Sequence, residues 1–156
     1  MQFEEYLRQQ GVAHERHDHA KTYTAQELAH EEHVSGYMVA KPVVVIGPNG
    51  PAMCVLPAPT KVDLQRAADA LGESTVRLAI ESEMVDLFPD CELGAEPPMG
   101  PLFNMQTVMD PHLREDEFLV MQAGAHDRAV RLRREDWERV CRPIVAPIIC
   151  TKLIAD

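Results

Sequence analysis

The chain has 156 residues, of which 46% are hydrophobic and 26% charged, proportions typical of one globular domain. No apolar run reaches the roughly 20 residues that a membrane-spanning helix needs, and acidic residues stand where a secretory signal carries bases, so we expect a cytoplasmic protein with no membrane partner. The formal net charge of -10 opposes long-range attraction of nucleic acid, which argues against direct DNA binding.

Sequence periodicity predicts two helices at the start of the chain. Residues 2–10 place their apolar side chains on one side, and Gly11 is a suitable C-terminal stop. Thr24 and Glu27 have the spacing of a capping box, in which each side chain accepts from the backbone N–H of the other residue. A second helix is therefore expected over 25–33.

Apolar and β-branched residues then predict a hairpin. The runs 38–46 and 52–56 flank a turn at 48–51, and their near-continuous hydrophobicity indicates strands buried on both faces. Helical spacing returns over 61–71 and stops at Gly72.

Short strands and helices alternate in the rest of the chain. We predict a strand over 75–79, a short helix from a Ser82 cap through Leu87, an irregular segment over 89–104, strands over 106–110, 117–122 and 128–133, and a last helix near 134–142. This irregular order is typical of a mixed α/β (α+β) domain, here residues 1–142. The apolar tail 143–156 is expected to pack on the domain or on a partner subunit, which leaves a homodimer open.

Lys41 is the first candidate for chemistry. It lies inside the apolar run of the first hairpin strand, where a charge is costly unless it faces a cleft or a partner. A lysine there can hold a phosphate or a carbonyl oxygen. Pro42 indicates an edge strand or a strand start, because proline cannot donate to a sheet ladder. Its position alone favours a Lys41 that lies on the solvent face of an edge strand and has no function.

A loop and a turn are the other candidates. The segment 94–101 combines glycines, which allow close backbone approach, with prolines, which stiffen the chain. Such a loop can aim backbone groups at a small ligand. His126 lies in the turn 123–127 and could donate to a substrate or shuttle a proton. Taken singly, both segments are also compatible with plain connecting turns.

Other catalytic chemistries have no signal in the sequence. The cysteines lie far apart without a C-x-x-C pair, so buried or idle thiols are expected. The early histidines lack a zinc-binding pattern and are interpreted as solvated; they are His14, His17, His19, His30 and His33. Neither a nucleophile elbow nor a P-loop or dinucleotide fingerprint is found. We therefore expect no covalent catalysis and no metal, ATP or NAD cofactor.

In their order and spacing these segments resemble the YbaK/EbsC family, aminoacyl-tRNA deacylases related to the editing domain of prolyl-tRNA synthetase. The resemblance spans about residues 1–140. It rests on short motifs at Thr24–Ala29, Val39–Lys41, Leu56–Leu64, Gly94 with Pro98 and Gly100, Val108–Asp110, and Ala123–His126.

The resemblance implies a mixed, partly barrel-like sheet flanked by helices. It also implies hydrolysis of the ester that joins a wrong amino acid to the 3′-terminal ribose of tRNA, with Ala- or Cys-tRNA(Pro) as expected substrates. Lys41 would orient the substrate end, either by neutralising the terminal phosphate or by polarising the ester carbonyl. The loop would line the amino-acid pocket and position water, and His126 would be a further contact; the loop residues are Gly94, Ala95, Glu96, Pro97, Pro98 and Gly100.

The chain departs from the family pattern in two places. Relatives commonly place Thr or Asn where this chain has Pro42, and small or hydroxyl residues where it has Glu96 and Pro97. Glu96 is expected to point outward or to recognise the α-amino group of the substrate. The departures and the acidic charge keep a second interpretation open, a non-catalytic ligand- or protein-binding module on the same fold. For a deacylase, the charge predicts weak affinity for tRNA alone, strengthened by an aminoacyl-tRNA synthetase partner.

Overall fold

The computed structural model describes residues 1–151, which contain five α-helices and eight β-strands. The helices are α1 (Phe3–Gln9), α2 (Ala25–Glu31), α3 (Leu64–Leu71), α4 (Glu81–Leu87) and α5 (Arg134–Cys141). The strands are β1 (His14–Asp18), β2 (Ala40–Gly47), β3 (Gly50–Pro57), β4 (Arg77–Leu78), β5 (Gln106–Met109), β6 (Phe118–Gln122), β7 (Arg128–Arg133) and β8 (Ile144–Val145). No helix within residues 1–151 has both the length and the apolar character to cross a bilayer.

The strands form two sheets. An antiparallel three-stranded sheet has the order β1-β7-β6, and a mixed five-stranded sheet has the order β4-β2-β3-β5-β8, with β5 parallel to both of its neighbours. Among the described residues, one parallel bridge between Val39 and Val120 joins the two ladders. The predicted mixed α/β fold with flanking helices is confirmed.

The five-stranded sheet buries both of its faces. On one face, Ala67 of α3 packs in a cluster with Val45 and Leu56. On the other face, Leu7 of α1 and Trp137 of α5 belong to a larger cluster that also takes in the ends of the three-stranded sheet. Burial on two faces explains why both hairpin strands are apolar almost throughout.

The predicted capping box is confirmed. The Glu27 N–H donates to Thr24 Oγ1 at 3.0 Å, and the Thr24 N–H donates to Glu27 Oε1 at 3.1 Å. The helix that follows ends at Glu31, two residues before the predicted end, because His33 takes a left-handed conformation with φ 58°. A positive φ cannot continue a right-handed helix.

Three details differ from the sequence predictions. Strand β1 has no predicted counterpart, because its five residues are all polar or charged and give no apolar alternation. Ser82 does not cap α4; the N-cap is Ile80, two residues earlier, and the Glu83 carboxylate accepts from the Ile80 N–H at 2.9 Å. The strand predicted over 75–79 is reduced to the two residues of β4.

The segment after α5 lies along the five-stranded sheet. Strand β8 pairs with β5, and Ile148 is fully buried. The Ile148 carbonyl accepts from the Asp63 N–H at 2.7 Å, and the Cys150 N–H donates to the Lys61 carbonyl at 2.7 Å. The remainder of the tail, 152–156, lies outside the described residues.

Candidate functional site

The loop that contains Gly94 is stabilised by a hydrogen bond between its own residues. Gly94 is exposed and has φ 89°, a left-handed conformation that favours glycine. The Glu96 carboxylate turns back and accepts from the Gly94 N–H at 3.0 and 3.2 Å. Glu96 is only 4% exposed, so it does not point outward. Its side chain closes a tight backbone turn instead.

Two carbonyl groups anchor the same loop to the rest of the domain. The Gly124 N–H donates to the Ala95 carbonyl at 2.8 Å, and Trp137 Nε1 donates to the Pro98 carbonyl at 2.8 Å. The side chains over 95–98 are buried, so Gly94 is the part of the loop that faces solvent. Pro97 and Gly124 border a cavity of about 390 Å³.

His126 fastens the loop to the turn that follows β6. Its Nε2 lies 2.8 Å from the Leu93 carbonyl oxygen and its Nδ1 lies 2.8 Å from the Thr22 carbonyl oxygen, while its N–H donates to Glu92 Oε1 at 2.7 Å. Carbonyl oxygens only accept, so the ring donates to both when it carries both protons. The structure brings His126 and the loop together, with the ring engaged by protein atoms.

Gly100 has a packing role. It opens a 3-10 helix (Gly100–Phe103) beside β5, and a Cβ placed there would lie 1.9 Å from Thr107 Oγ1 and 2.7 Å from the Met105 carbonyl oxygen. Only a residue without a side chain fits this space. Gly100 is therefore buried against β5 and does not lie on the exposed part of the loop with Gly94.

Lys41 is half-buried on β2 and reaches the loop after β3. Its Nζ donates to the Ala58 carbonyl at 2.9 Å. Burial lowers the pKa of the Lys41 ammonium, and the nearby charge of Lys61 lowers it further. Strand β4 pairs only with Val45 and Ile46, so Pro42 stands in an edge portion of β2, as its missing N–H predicts.

Strand register places Lys41 level with Gln122. The parallel bridge joins Val39 to Val120, and both Lys41 and Gln122 lie two residues further along their strands. Because side chains alternate between faces, both leave on the face of the bridged valines, opposite the main core. Within the described residues, the two strands are not paired beyond this bridge.

Gln122 and Thr22 complete this region, and sequence reasoning did not single them out. Gln122 Nε2 donates to Thr22 Oγ1 at 3.4 Å, and the Thr22 carbonyl faces His126. The buried Gln122 Oε1 has no hydrogen-bond partner among the described residues. A polar residue at the end of the apolar strand β6, immediately before the Ala-Gly-x-His turn, is the signal that could have identified Gln122.

Three of the four thiols, those of Cys54, Cys91 and Cys141, are unsuited to nucleophilic catalysis. Burial raises the pKa of Cys54 to about 12 and that of Cys91 and Cys141 to about 11. These groups are therefore protonated at neutral pH, whereas the thiolate is the reactive form. Among residues 1–151, no three His, Cys, Asp or Glu side chains converge as a metal site would require.

Glu96 gives the stability of the fold a defined pH dependence. Burial raises the pKa of its carboxyl above 4.5, opposed by hydrogen bonds from its own N–H and that of Gly94 and by nearby His126. The folded state thus holds this proton to higher pH than the unfolded chain. Its contribution to stability is full below pH 4.5 and is lost as pH rises through the folded-state pKa.

Glu96→Gln should therefore gain stability relative to the parent as pH rises above the ordinary carboxyl pKa. Urea unfolding of both proteins from about pH 4 to about pH 8 measures the difference. Glu5→Gln, at an exposed position of α1, removes the same charge and controls for net charge. A difference between Glu96→Gln and parent that stays constant with pH would contradict the assignment.

Comparison with known proteins identifies the family. The family model for the aminoacyl-tRNA editing domain matches residues 19–140. The chain belongs to this family. The matched span includes Lys41, the Gly94 loop and His126, and the relationship expected from the sequence is confirmed. No curated protein matches the chain.

Solved structures share the fold of this editing-domain protein. The hypothetical protein APE2540 matches with a TM-score of 0.85 and 22% identity, over 94% of this chain and 98% of that one. A candidate trans-editing enzyme for prolyl tRNA synthetase matches with a TM-score of 0.79 and 21% identity, over 92% of both chains. A candidate signal transduction protein from Marinobacter aquaeolei VT8 matches at 0.73 and 15%, over 92% of this chain and 30% of that one.

Proposed function

We propose that this editing-domain protein is a trans-acting deacylase that hydrolyses the ester of mischarged tRNA. The observation that carries the proposal is the shared register of Lys41 and Gln122 at the Val39–Val120 bridge. We place the substrate cleft between the Lys41 ammonium on one side and Gln122 with the loop held by His126 on the other. The Lys41 cation is suited to a phosphate, and the Gln122 amide oxygen, which has no partner among the described residues, is suited to an ammonium. The rigid backbone of the loop is suited to a water molecule.

The loop is suited to holding the attacking water by the carbonyl oxygens of Gly94 and Glu96, which accept no hydrogen bond from the described residues, whereas other carbonyls of the loop do. The Gly94 N–H is taken by Glu96, the Ala95 N–H donates to the Glu92 carbonyl, and the prolines have no N–H. A water that donates to such carbonyls keeps a lone pair free for the ester carbon. Water then adds to that carbon, and the ribose oxygen leaves with a proton as the amino acid is released.

This route needs no protein nucleophile. The aminoacyl ester is already activated, and correct placement of water and ester can supply much of the rate gain. Protonated, buried thiols agree with that requirement. Lys41 orients the substrate end, either at the terminal phosphate or at the ester carbonyl.

The proposed substrates carry small amino acids, with Ala- and Cys-tRNA(Pro) first among them. The similarity to a candidate trans-editing enzyme for prolyl tRNA synthetase supports this class. The net charge of -10 makes capture of tRNA by the chain alone weak. We therefore include an aminoacyl-tRNA synthetase as a partner that delivers the tRNA.

Deacylation of a panel of mischarged tRNAs tests the proposal. We expect Ala-tRNA(Pro) or Cys-tRNA(Pro) to lose its amino acid faster than in buffer, and correctly charged Pro-tRNA(Pro) to be spared. The assay is run with and without prolyl-tRNA synthetase, since the partner is part of the proposal. If every substrate decays at the buffer rate under both conditions, the chain is a binding module and the deacylase assignment fails.

A further inference from the structure

The loop between β3 and α3 carries a second cation beside Lys41. The Lys41 ammonium donates to the carbonyl of Ala58, and Lys61 follows three residues later on an exposed part of the same loop. A turn compacts this segment, since the Thr60 N–H donates to the Pro57 carbonyl at 3.0 Å. Three residues span at most about 11 Å even when extended. The two ammonium groups can therefore reach one ligand.

The backbone of Lys61 is held in position by the C-terminal segment. Its carbonyl accepts from the Cys150 N–H at 2.7 Å, and the next residue, Val62, forms a bridge with Ile149. The Asp63 side chain accepts from the Arg66 N–H and so starts α3 immediately beyond. The loop thus presents Lys61 from a fixed backbone, which limits the ordering that a ligand must impose.

The charges around this loop are unbalanced. Seven of the described arginines form ion pairs with carboxylates; they are Arg16, Arg66, Arg77, Arg114, Arg133, Arg134 and Arg139. No carboxylate within residues 1–151 lies at salt-bridge distance from Lys41 or Lys61, as is also true of Lys21, Arg8, Arg128, Arg131 and Arg142. In a chain with 25 acids and 15 bases, this loop keeps two cations free for an external anion.

We propose that Lys61 and Lys41 together bind a phosphodiester of the tRNA 3′ end, with Lys61 as a phosphate-binding residue outside the cleft. The inference rests on the proposed function for the identity of the ligand. The Lys41 ammonium keeps two further N–H donors beyond the one used by Ala58. Burial lowers the pKa of Lys41 and the repulsion from Lys61 lowers it further; an anion between the two cations offsets that repulsion.

Lys61→Ala tests the inference through the salt dependence of binding. Affinity for an uncharged RNA hairpin ending in single-stranded CCA is measured by fluorescence anisotropy over a series of salt concentrations. Loss of one phosphate contact to a single strand should reduce the slope of log affinity against log salt by about 0.7. Affinity near physiological salt should fall about fivefold, as for one water-exposed ion contact.

Two matched variants separate a local contact from overall charge. Lys61→Arg should retain the parent slope, because it keeps the charge. Arg8→Ala removes a positive charge from α1, an element that packs on the other face of the sheet, and should also keep the parent slope. If Lys61→Ala and the parent share one slope, or if Arg8→Ala changes it equally, Lys61 does not bind phosphate.

The deacylation assay distinguishes this inference from the proposed function. If the parent and Lys61→Ala deacylate the substrate equally fast and share one salt slope, the deacylase is supported and the role of Lys61 is overturned. If RNA binding depends on Lys61 but the parent shows no deacylation, the two conclusions are reversed. The phosphate site then stands and the deacylase assignment fails.

Discussion

Lys41→Ala is expected to lower kcat/KM for deacylation about 100-fold, the loss typical when one positioned polar group is removed from an active site. The Lys41 ammonium is held by the Ala58 carbonyl beside the proposed cleft, so alanine removes both the charge and its placement. Single-turnover deacylation of the best substrate from the panel measures the effect. Lys21→Ala removes the same charge from an exposed position outside β2 and should stay within a few-fold of the parent.

Stability measurements separate this loss from unfolding. A half-buried ammonium costs free energy that a neutral side chain does not. Lys41→Met, which keeps the length of the side chain, should therefore unfold at the same or a higher urea concentration than the parent while losing the same activity. Full activity in a folded Lys41→Met protein would exclude Lys41 from the site.

Gly100→Ala is expected to lower the free energy of unfolding by about 3 to 5 kcal/mol, within the range of severe overpacking. The added Cβ would lie 1.9 Å from Thr107 Oγ1 and 2.7 Å from the Met105 carbonyl oxygen. Neither neighbour can withdraw easily, because Thr107 lies on β5 and the carbonyl belongs to the backbone. Urea unfolding followed by the fluorescence of Trp137 gives the value.

Gly72 provides the control, because its backbone conformation constrains it and neighbouring atoms do not. Gly72 has φ 70° but open space around its Cβ position, so alanine there should cost only about 1 to 2 kcal/mol of left-handed strain. If Gly100→Ala is insoluble, the double variant Gly100→Ala with Thr107→Ala should recover folded protein, because the closest contact has been removed. A Gly100→Ala protein as stable as the parent would show that β5 packs differently.

Sequence reasoning reached the elements whose signals are local. The capping box at Thr24 and Glu27 needs only four consecutive residues, and its two hydrogen bonds are confirmed. The apolar hairpin strands were detectable for the same reason. Strand β1 was not detectable, because its stability comes from pairing with β7 and its own residues are polar.

The residues of the candidate site could be predicted from the sequence, but the hydrogen bonds that join them could not. Glycines and prolines mark a stiff loop, but no local pattern shows that His126 bonds the Leu93 carbonyl 33 residues earlier. In the same way, Glu96 reads as a surface acid in sequence, whereas the fold turns it inward to the Gly94 N–H. Long-range backbone hydrogen bonds decide both roles, and they depend on the whole fold.

The bridge between Val39 and Val120, which alone joins the two sheets within residues 1–151, has a consequence for selectivity. It joins the sheet that carries Lys41 to the sheet whose strand β6 ends at Gln122, so the width of the proposed cleft depends on how two separately hydrogen-bonded sheets pack against each other. A pocket that must distinguish amino acids differing by one methyl group works with only about 1 to 3 kcal/mol. Substitutions in the core between the layers, far from any substrate, should therefore shift which amino acid is accepted.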